Sequence, residues 1–578
     1  MDWNRALRFW PWLAAIASGL MFRACFAPFN QAWLCWIALT PLMGAVWFSG
    51  DETKRPRLRH LLLGYVAGLA YFWSVFSWLT TVTVPGWFLV GAYMAVYPAI
   101  WAWIAGLLRP EKNRTILQRQ PRGLEAVTQQ LEARRAAERK SGGILIGSAA
   151  DEAPPAIHSP WLSSMHNLRL AFLLASAWVA TEFVRATLFS GWGWNMLGTA
   201  LHAQYLLIQI VEITGVAGLS FLVAFANVIA VAIVPRFMIE AQTRTRRPHF
   251  DLTLTMLAVM AVFTFGLRAV QVKEESKGIR VAAVQPNVPR EQKFNQEFAE
   301  LTFEQFSRLS RTAMTPTPPD LLIWPESSMP DPVLEGTESY RFVKEFAAAT
   351  KVDLLLGIID QEEDVAYNAA LLVTERGTRE QRYRKVHLVP FGEYVPGRHT
   401  LPGIARIVGD QVPDDFGFGK EHSVFTMTDE EVRLAPLICF EDTIGELTRQ
   451  FVRSGANLLA NVTNDGWFLK SAGSQQHLAN AVFRCVETRL PMVRSANTGV
   501  TCFINEYGRV TRKLVDANGT QWTEGVLTDV VRVPVEPRRT FYVENGELFA
   551  KGCAAVTLLA LLVIVPIKLR QTRRQSES

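Results

Sequence analysis

Seven long apolar runs between Phe9 and Val270 constrain the fold more than any other feature of this 578-residue chain. They span 9–25, 32–48, 61–79, 87–108, 170–188, 205–234 and 252–270, and an eighth lies at 549–567. A hydrocarbon layer of about 30 Å needs roughly 20 apolar residues in a helix, because lipid offers no partner to a bare peptide group. The runs therefore predict an α-helical membrane bundle of about eight transmembrane helices. Run 205–234 is long and contains Gly215 and Gly218, so a tilt or an interruption is expected there.

The composition, 49% hydrophobic and 19% charged, averages two unlike parts. Residues 1–272 form the apolar region and 278–535 have the balance of a soluble domain; 549–567 is apolar again and 568–578 is a basic tail. The net charge of +6 comes from Lys and Arg placed between apolar runs, a pattern of membrane topology rather than of nucleic-acid binding. With a cytoplasmic N-terminus, the inside segments hold Arg5 and Arg8, Lys54 to Arg59, Arg109 to Arg169, Arg236 to Arg247 and Lys568 to Arg574. The outside connections hold only Arg23 and Arg185. Seven crossings then put 278–535 outside the cytoplasm, and the eighth returns the chain. Arg5 and Arg8 before an apolar stretch also suit a signal peptide, but no small-residue cleavage site follows. The connection 109–169 reads as a cytoplasmic insertion, with a solvated helix over 123–140 and a flexible stretch over 141–160.

None of the six cysteines forms a C-x-x-C pair, so neither a zinc site nor any other metal is expected. Cys485 and Cys502 can pair, though buried thiols are the commoner case. Residues 278–535 alternate apolar strands (279–285, 321–324, 352–359, 368–373, 434–439, 458–462, 493–495) with helical segments (291–311, 340–349, 445–454, 474–488), which predicts an α/β domain.

Three segments at strand ends stand out. Leu322-Ile323-Trp324-Pro325-Glu326 stops a strand at a proline and places a carboxylate next. Tyr383-Arg384-Lys385-Val386-His387 sets a lysine among apolar, Pro and Gly residues, with Glu393 close behind. Leu437-Ile438-Cys439-Phe440-Glu441-Asp442 ends a strand in a cysteine and opens a predicted helix. A helix start there lowers the thiol pKa and supplies N–H groups for an oxyanion. Each segment alone also fits a bland role: a cap, a surface lysine, a buried thiol. Glu182 and Arg185, a helical turn apart within a membrane run, are expected to pair.

Taken together, Glu326, Lys385 and Cys439 with these flanks resemble the nitrilase (carbon–nitrogen hydrolase) superfamily. With the membrane runs added, the chain resembles its membrane-embedded branch, the apolipoprotein N-acyltransferase family. Further matching text is Asn464-Asp465-Gly466-Trp467-Phe468, Gln475-Gln476-His477-Leu478 and Arg494-Ser495-Ala496-Asn497-Thr498-Gly499, with Phe26-Ala27-Pro28-Phe29 and Gly193-Trp194 in the membrane part. Two positions depart from that pattern: Phe440 replaces a frequent tyrosine and Phe294 a frequent tryptophan. The resemblance implies a nitrilase-like αββα sandwich beside the bundle. It implies Cys439 as nucleophile, Glu326 as general base and Lys385 as oxyanion stabiliser, with Glu393 and Glu441 supporting.

Implied too is a ping-pong reaction: a phospholipid donates an acyl chain to the thiol, and a diacylglyceryl-cysteine amine at a lipoprotein N-terminus takes it. No cofactor is implied; the protein is expected to be a monomer in a bacterial inner membrane, its catalytic domain periplasmic. Phe440, Trp467 and Phe468 are candidates for the acyl pocket, and 395–416 for a mobile lip containing Leu401, Ile404 and Ile407. A membrane-tethered amidase acting on a small C–N substrate uses the same triad and is the alternative. A noncatalytic scaffold or transporter, and a Cys–His protease using His387 or His477, fit the sequence less well.

Overall fold

The computed structural model describes residues 9–49, 55–109, 160–244, 246–289, 292–293, 295–374, 377–398 and 414–577. The predicted insertion helix at 123–140, the flexible stretch 141–160 except Pro160, Phe294 and the lip residues Leu401, Ile404 and Ile407 lie outside them.

The apolar runs fold as helices. Among the described residues, five are long and apolar enough to cross a membrane: Val84–Leu107, Pro160–Thr187, Val216–Gln242, Phe250–Ala269 and Leu548–Ile567. The remaining runs fall short by that measure. Trp10–Ala24 has 15 residues, run 32–48 splits into a 3-10 turn (Ala32–Trp36) and a helix (Thr40–Phe48), and Pro56–Val75 opens on Arg57, Arg59 and His60. Run 205–234 is interrupted at Gly215, whose φ of 61° ends the helical turn Val211–Thr214 before Val216–Ala232 begins. A side chain there would meet the Tyr542 ring at 2.8 Å. Phe250–Ala269 and the C-terminal helix expose Leu254, Met256, Leu257 and Met260, and Leu558, Leu559, Leu562 and Val563. Apolar surface of that extent suits lipid, not water. Glu182 and Arg185 are not the expected ion pair. Glu182 Oε1 instead accepts from Trp178 Nε1 (2.9 Å) and Leu197 N (2.7 Å), and Arg185 donates to Trp194 O (2.7 Å).

Two six-stranded sheets make the α/β part. The first contains β1 (Ser276–Gln285), β2 (Leu321–Trp324), β3 (Asp353–Glu362), β4 (Val365–Thr374), β5 (Arg379–Arg384) and β12 (Gly525–Pro534), in the order β12-β1-β2-β3-β4-β5. The second contains β6 (Phe425–Thr426), β7 (Arg433–Ile438), β8 (Leu458–Thr463), β9 (Met492–Ala496), β10 (Cys502–Ile504) and β11 (Val510–Lys513), in the order β11-β10-β9-β8-β7-β6. Each sheet has a parallel centre, β1-β2-β3 and β7-β8-β9, flanked by antiparallel strands.

Strand periodicity assigns the layers. Ile279, Val281 and Ala283 of β1 and Leu321 and Ile323 of β2 face the second sheet, whereas Ala282, Val284, Leu322 and Trp324 face outward. There α1 (Ala299–Ala313) and α2 (Glu338–Thr350) cover them with Phe303, Phe306 and Val343. Strands buried on both faces must be apolar throughout, which is why β1 to β4 appear as runs in the sequence. On the second sheet's side lie α3 (Gly445–Arg453) and α4 (Gly473–Thr488), giving an αββα sandwich. The core between the sheets continues without a break into the helix bundle, where α4, all of whose residues but Gln475 are buried, touches the segments before Val216. All six cysteines are free, so Cys485 and Cys502 do not pair.

Candidate active site

The three singled-out residues sit just past the ends of β2, β5 and β7, each on backbone shaped for the position. Pro325 cannot extend the ladder, so the chain leaves the sheet and Glu326 follows, 6% exposed. Gly357 of β3 receives this turn: its N–H donates to Pro325 O (3.1 Å), and a Cβ on it would lie 2.5 Å from Glu326 Cα. Lys385 is 1% exposed, its N–H held by Asn368 O at 2.8 Å. Cys439 has a φ of 50°, a left-handed conformation that costs a non-glycine residue about 1–3 kcal/mol and recurs where a side chain must be presented. Asn461 Nδ2 donates to Cys439 O (3.0 Å) and holds that sharp turn.

Buried hydrogen bonds join the three. Lys385 Nζ donates to both oxygens of Glu393, at 2.9 and 2.8 Å. Asn368 Nδ2 bridges Glu393 Oε1 (2.6 Å) and Glu326 Oε1 (2.7 Å). The other Glu326 oxygen, Oε2, is buried with no hydrogen-bond partner, an acceptor open for a proton. Glu441 ties the lysine segment to the cysteine turn: Oε1 accepts from Val386 N (3.0 Å), His387 N (3.1 Å) and Tyr383 Oη (2.8 Å), and Oε2 from Ile438 N (2.9 Å).

The charges act on one another. Burial raises the Cys439 thiol well above its ordinary range; the Glu326 carboxylate adds to this, and the Lys385 ammonium opposes it. This reverses the lowered thiol pKa expected from a helix start. The cysteine opens a five-residue 3-10 turn (Cys439–Thr443), too short to sum a useful dipole, in a site where a carboxylate is nearby. For Lys385, burial works against the ammonium, but Glu393, Cys439 and Glu326 outweigh it and raise its pKa. Burial pushes Glu441 up to about 7, against the pull of Lys385 and of its N–H donors. His387 is lowered to about 4 by burial and the Lys385 charge, so it is neutral at pH 7.

An aromatic wall joins this centre to the bundle. Phe440 stacks on Trp194 (5.8 Å) and His387 (5.9 Å), and Phe468 packs edge-on to Trp78 (4.7 Å). Trp467 sits in the turn Asp465–Phe468, where its carbonyl accepts from Thr81 Oγ1 (3.1 Å).

Comparison with known proteins bears on both halves. The Carbon-nitrogen hydrolase family matches residues 233–534, and the Apolipoprotein N-acyltransferase N-terminal domain matches 18–124 and 145–229. An apolipoprotein N-acyltransferase of Geobacter metallireducens is 32% identical over 559 residues, 94% of this chain and 93% of its own. The chain belongs to the apolipoprotein N-acyltransferase family. Apolipoprotein N-acyltransferase 1 of Treponema denticola is 30% identical, covering 69% of this chain and 78% of its own. A CN-hydrolase superfamily protein of Xanthomonas campestris, solved with an arsenic adduct in its active site, is 16% identical with a TM-score of 0.34, over 44% of this chain and 91% of that one.

Within this acyltransferase, sequence reasoning passed over several residues that meet the centre. Lys293 Nζ donates to Glu326 O (2.8 Å); burial lowers it to about 8, against the Glu326 and Cys439 charges. Asn368 is the bridge itself, and Thr463 at the end of β8 acts to lower the Cys439 thiol pKa against its burial. Asn368 and Thr463 occupy ordinary strand positions, and Lys293 follows Pro289 in a loop, so neither spacing nor periodicity marks them. The signal available was chemical: an asparagine inside an otherwise apolar strand must find partners.

Proposed function

We propose that this acyltransferase moves an acyl chain from a membrane phospholipid to the N-terminal amine of a diacylglyceryl-cysteine lipoprotein, through a thioester on Cys439. The hydrogen-bonded line Lys385–Glu393–Asn368–Glu326, with its charges coupled to the Cys439 thiol, carries this reading. Because the thiol is held protonated at rest, attack needs a base at the moment of reaction. Glu326 takes the thiol proton on its free oxygen as sulfur bonds to the ester carbonyl carbon. Lys385 and the N–H groups after Cys439 meet the oxyanion. The carbon–oxygen bond then breaks, and Glu326 returns the proton to the departing lysophospholipid. In the second half the amine nitrogen bonds to the thioester carbon, Glu326 accepts its proton, and the carbon–sulfur bond breaks as Glu326 passes that proton to the sulfur, restoring thiol and carboxylate.

The aromatic wall built on Phe440 and Phe468 supports a dry acyl pocket, with Trp467 a further candidate beside it, and an amine needs such a pocket in order to outrun water at a thioester. Bare apolar flanks on Phe250–Ala269 and Leu548–Ile567 support a bilayer site. With the Lys and Arg distribution, they favour eight crossings, a periplasmic catalytic domain over 278–535, an insertion at 109–169 and a cytoplasmic tail from 568; a monomer in the inner membrane completes the proposal.

Intact-protein mass spectrometry after incubation with phospholipid tests the chemistry. One added acyl mass is expected, removed by hydroxylamine and missing from Cys439→Ala. An acyl mass persisting in Cys439→Ala would overturn the assignment.

A further inference from the structure

One helix of the catalytic domain makes contacts that its own fold does not require. Gln476, near the start of α4, is 1% exposed, and four hydrogen bonds engage its amide. Oε1 accepts from Trp78 Nε1 (3.0 Å) and Asn195 Nδ2 (2.9 Å); Nε2 donates to Ala27 O (3.2 Å) and Val75 O (3.2 Å). Every partner belongs to the bundle, and they come from separate stretches of it: the loop after Trp10–Ala24, the end of Pro56–Val75, the turn Ser77–Thr81 and the loop after Pro160–Thr187. A buried amide is costly to leave unpaired, and this one uses its full complement of two donors and two acceptor sites. Its position is thereby set against the bundle in several directions at once.

The next residue meets the turn that Cys439 opens. His477 is fully buried; Nε2 lies 2.8 Å from Asp442 Oδ1, and Nδ1 lies 2.9 Å from Asp465 Oδ1. Asp442 belongs to the turn Cys439–Thr443, and Arg494 Nε, 3.3 Å from Asp442 Oδ2, holds it from the other side. The imidazole stacks on Trp194 at 5.3 Å, and Trp194 stacks in turn on Phe440. Asn195, beside Trp194, is one of the groups that hold Gln476.

We infer that Gln476 and His477 are positioning residues that set the Cys439 turn in register with the membrane bundle, so that a lipid ester entering from the bilayer meets the thiol. The inference rests on Cys439 being the nucleophile. The amide fixes α4 to the bundle, and the imidazole one residue on passes that position through Asp442 to the turn. Neither side chain needs to touch substrate. A soluble reagent reaching Cys439 needs no such register, whereas a long-chain ester anchored in a bilayer does, since a misplacement of about 1 Å can cost about 10²-fold in rate.

The test uses the full-length protein in phosphatidylethanolamine vesicles and reads two rates at Cys439: acyl-enzyme formation from the lipid, and alkylation by iodoacetamide. Gln476→Leu keeps the bulk and removes the hydrogen bonds. Trp78→Phe removes one donor from the bundle side and serves if Gln476→Leu does not fold. Acylation is expected to fall about tenfold or more in Gln476→Leu and several-fold in Trp78→Phe, with alkylation within about twofold of wild type. Parallel loss of both rates, or acylation at the wild-type rate in both variants, overturns the inference. Absence of acylation at Cys439 in the wild type would instead sink the nucleophile assignment.

Discussion

Glu393 makes Lys385 a permanent cation, since both carboxylate oxygens hold the ammonium in a site where burial alone would discharge it. Lys293 Nζ donates to the main-chain carbonyl of Glu326, and burial lowers it to about 8. The two lysines therefore respond differently to pH. Above about 8, Lys293 sheds its charge beside Glu326 while Lys385 keeps its own. Acyl-enzyme formation should accordingly show an alkaline limb near pH 8 in the wild type. Lys293→Arg, always charged, should move that limb upward by more than about one pH unit. Lys293→Met should lower the rate and remove the limb. Single-turnover acylation across pH 6 to 10 measures it; an unchanged limb in Lys293→Arg assigns the titration to another group. Glu326 and Cys439 stood out in the sequence because each ends an apolar strand, and Lys385 because apolar, Pro and Gly residues follow it. Lys293 was not, since a lysine in a loop looks like a solvated one until the fold covers it.

At the scale of elements, strands that carry core on both faces were legible and polar ones were not. β5, Arg-Glu-Gln-Arg-Tyr-Arg, reads as loop; it is a strand because Arg382 and Arg384 find Asp360 of β3 across the sheet, each at 2.7 Å. β12 and the short β10 and β11 were missed for want of a run. The helix expected over 291–311 begins only at Ala299, after a 3-10 turn that Asn295 caps by accepting from Glu297 N (3.0 Å). In β3, Gly357 shows how an element positions the proposed base without touching the chemistry. Its missing side chain leaves room for the Pro325–Glu326 turn, and a methyl there would meet Glu326 Cα at 2.5 Å and Pro325 O at 2.8 Å. Gly357→Ala must push Glu326 away from Asn368. An acylation rate reduced about 10²-fold is expected, with Cys439 still alkylated at near wild-type rate. Wild-type acylation in Gly357→Ala would mean that the turn tolerates the shift.

For the whole molecule, the decisive feature is that bundle and sandwich share one core and that α4 is pinned to the bundle at both ends. Sequence patterns divide the chain at about residue 272 and cannot show this, because the pins are single polar residues scattered across the chain. Gln476 is the pin near the site. At the far end Arg489, in a left-handed conformation that closes α4, reaches Glu212 Oε2 (2.5 Å) and Gln209 Oε1 (2.5 Å) and lies over the Tyr507 ring. Arg538, from the link to the C-terminal helix, meets the same Glu212 oxygen. Glu212 thus balances two arginines at the seam, one 2% and the other 42% exposed. Removing one member of a buried pair costs about 3–5 kcal/mol, and the exposed arginine can turn to water, so Glu212→Gln should cost nearer the lower figure. The detergent-solubilised variant should unfold several degrees below wild type, while acylation of Cys439 at low temperature stays within about twofold. That split separates a seam that holds the halves together from one that aligns the thiol. An unchanged unfolding midpoint would remove Glu212 from the seam's stability, and a lost acylation rate at low temperature would extend the alignment role along the whole of α4.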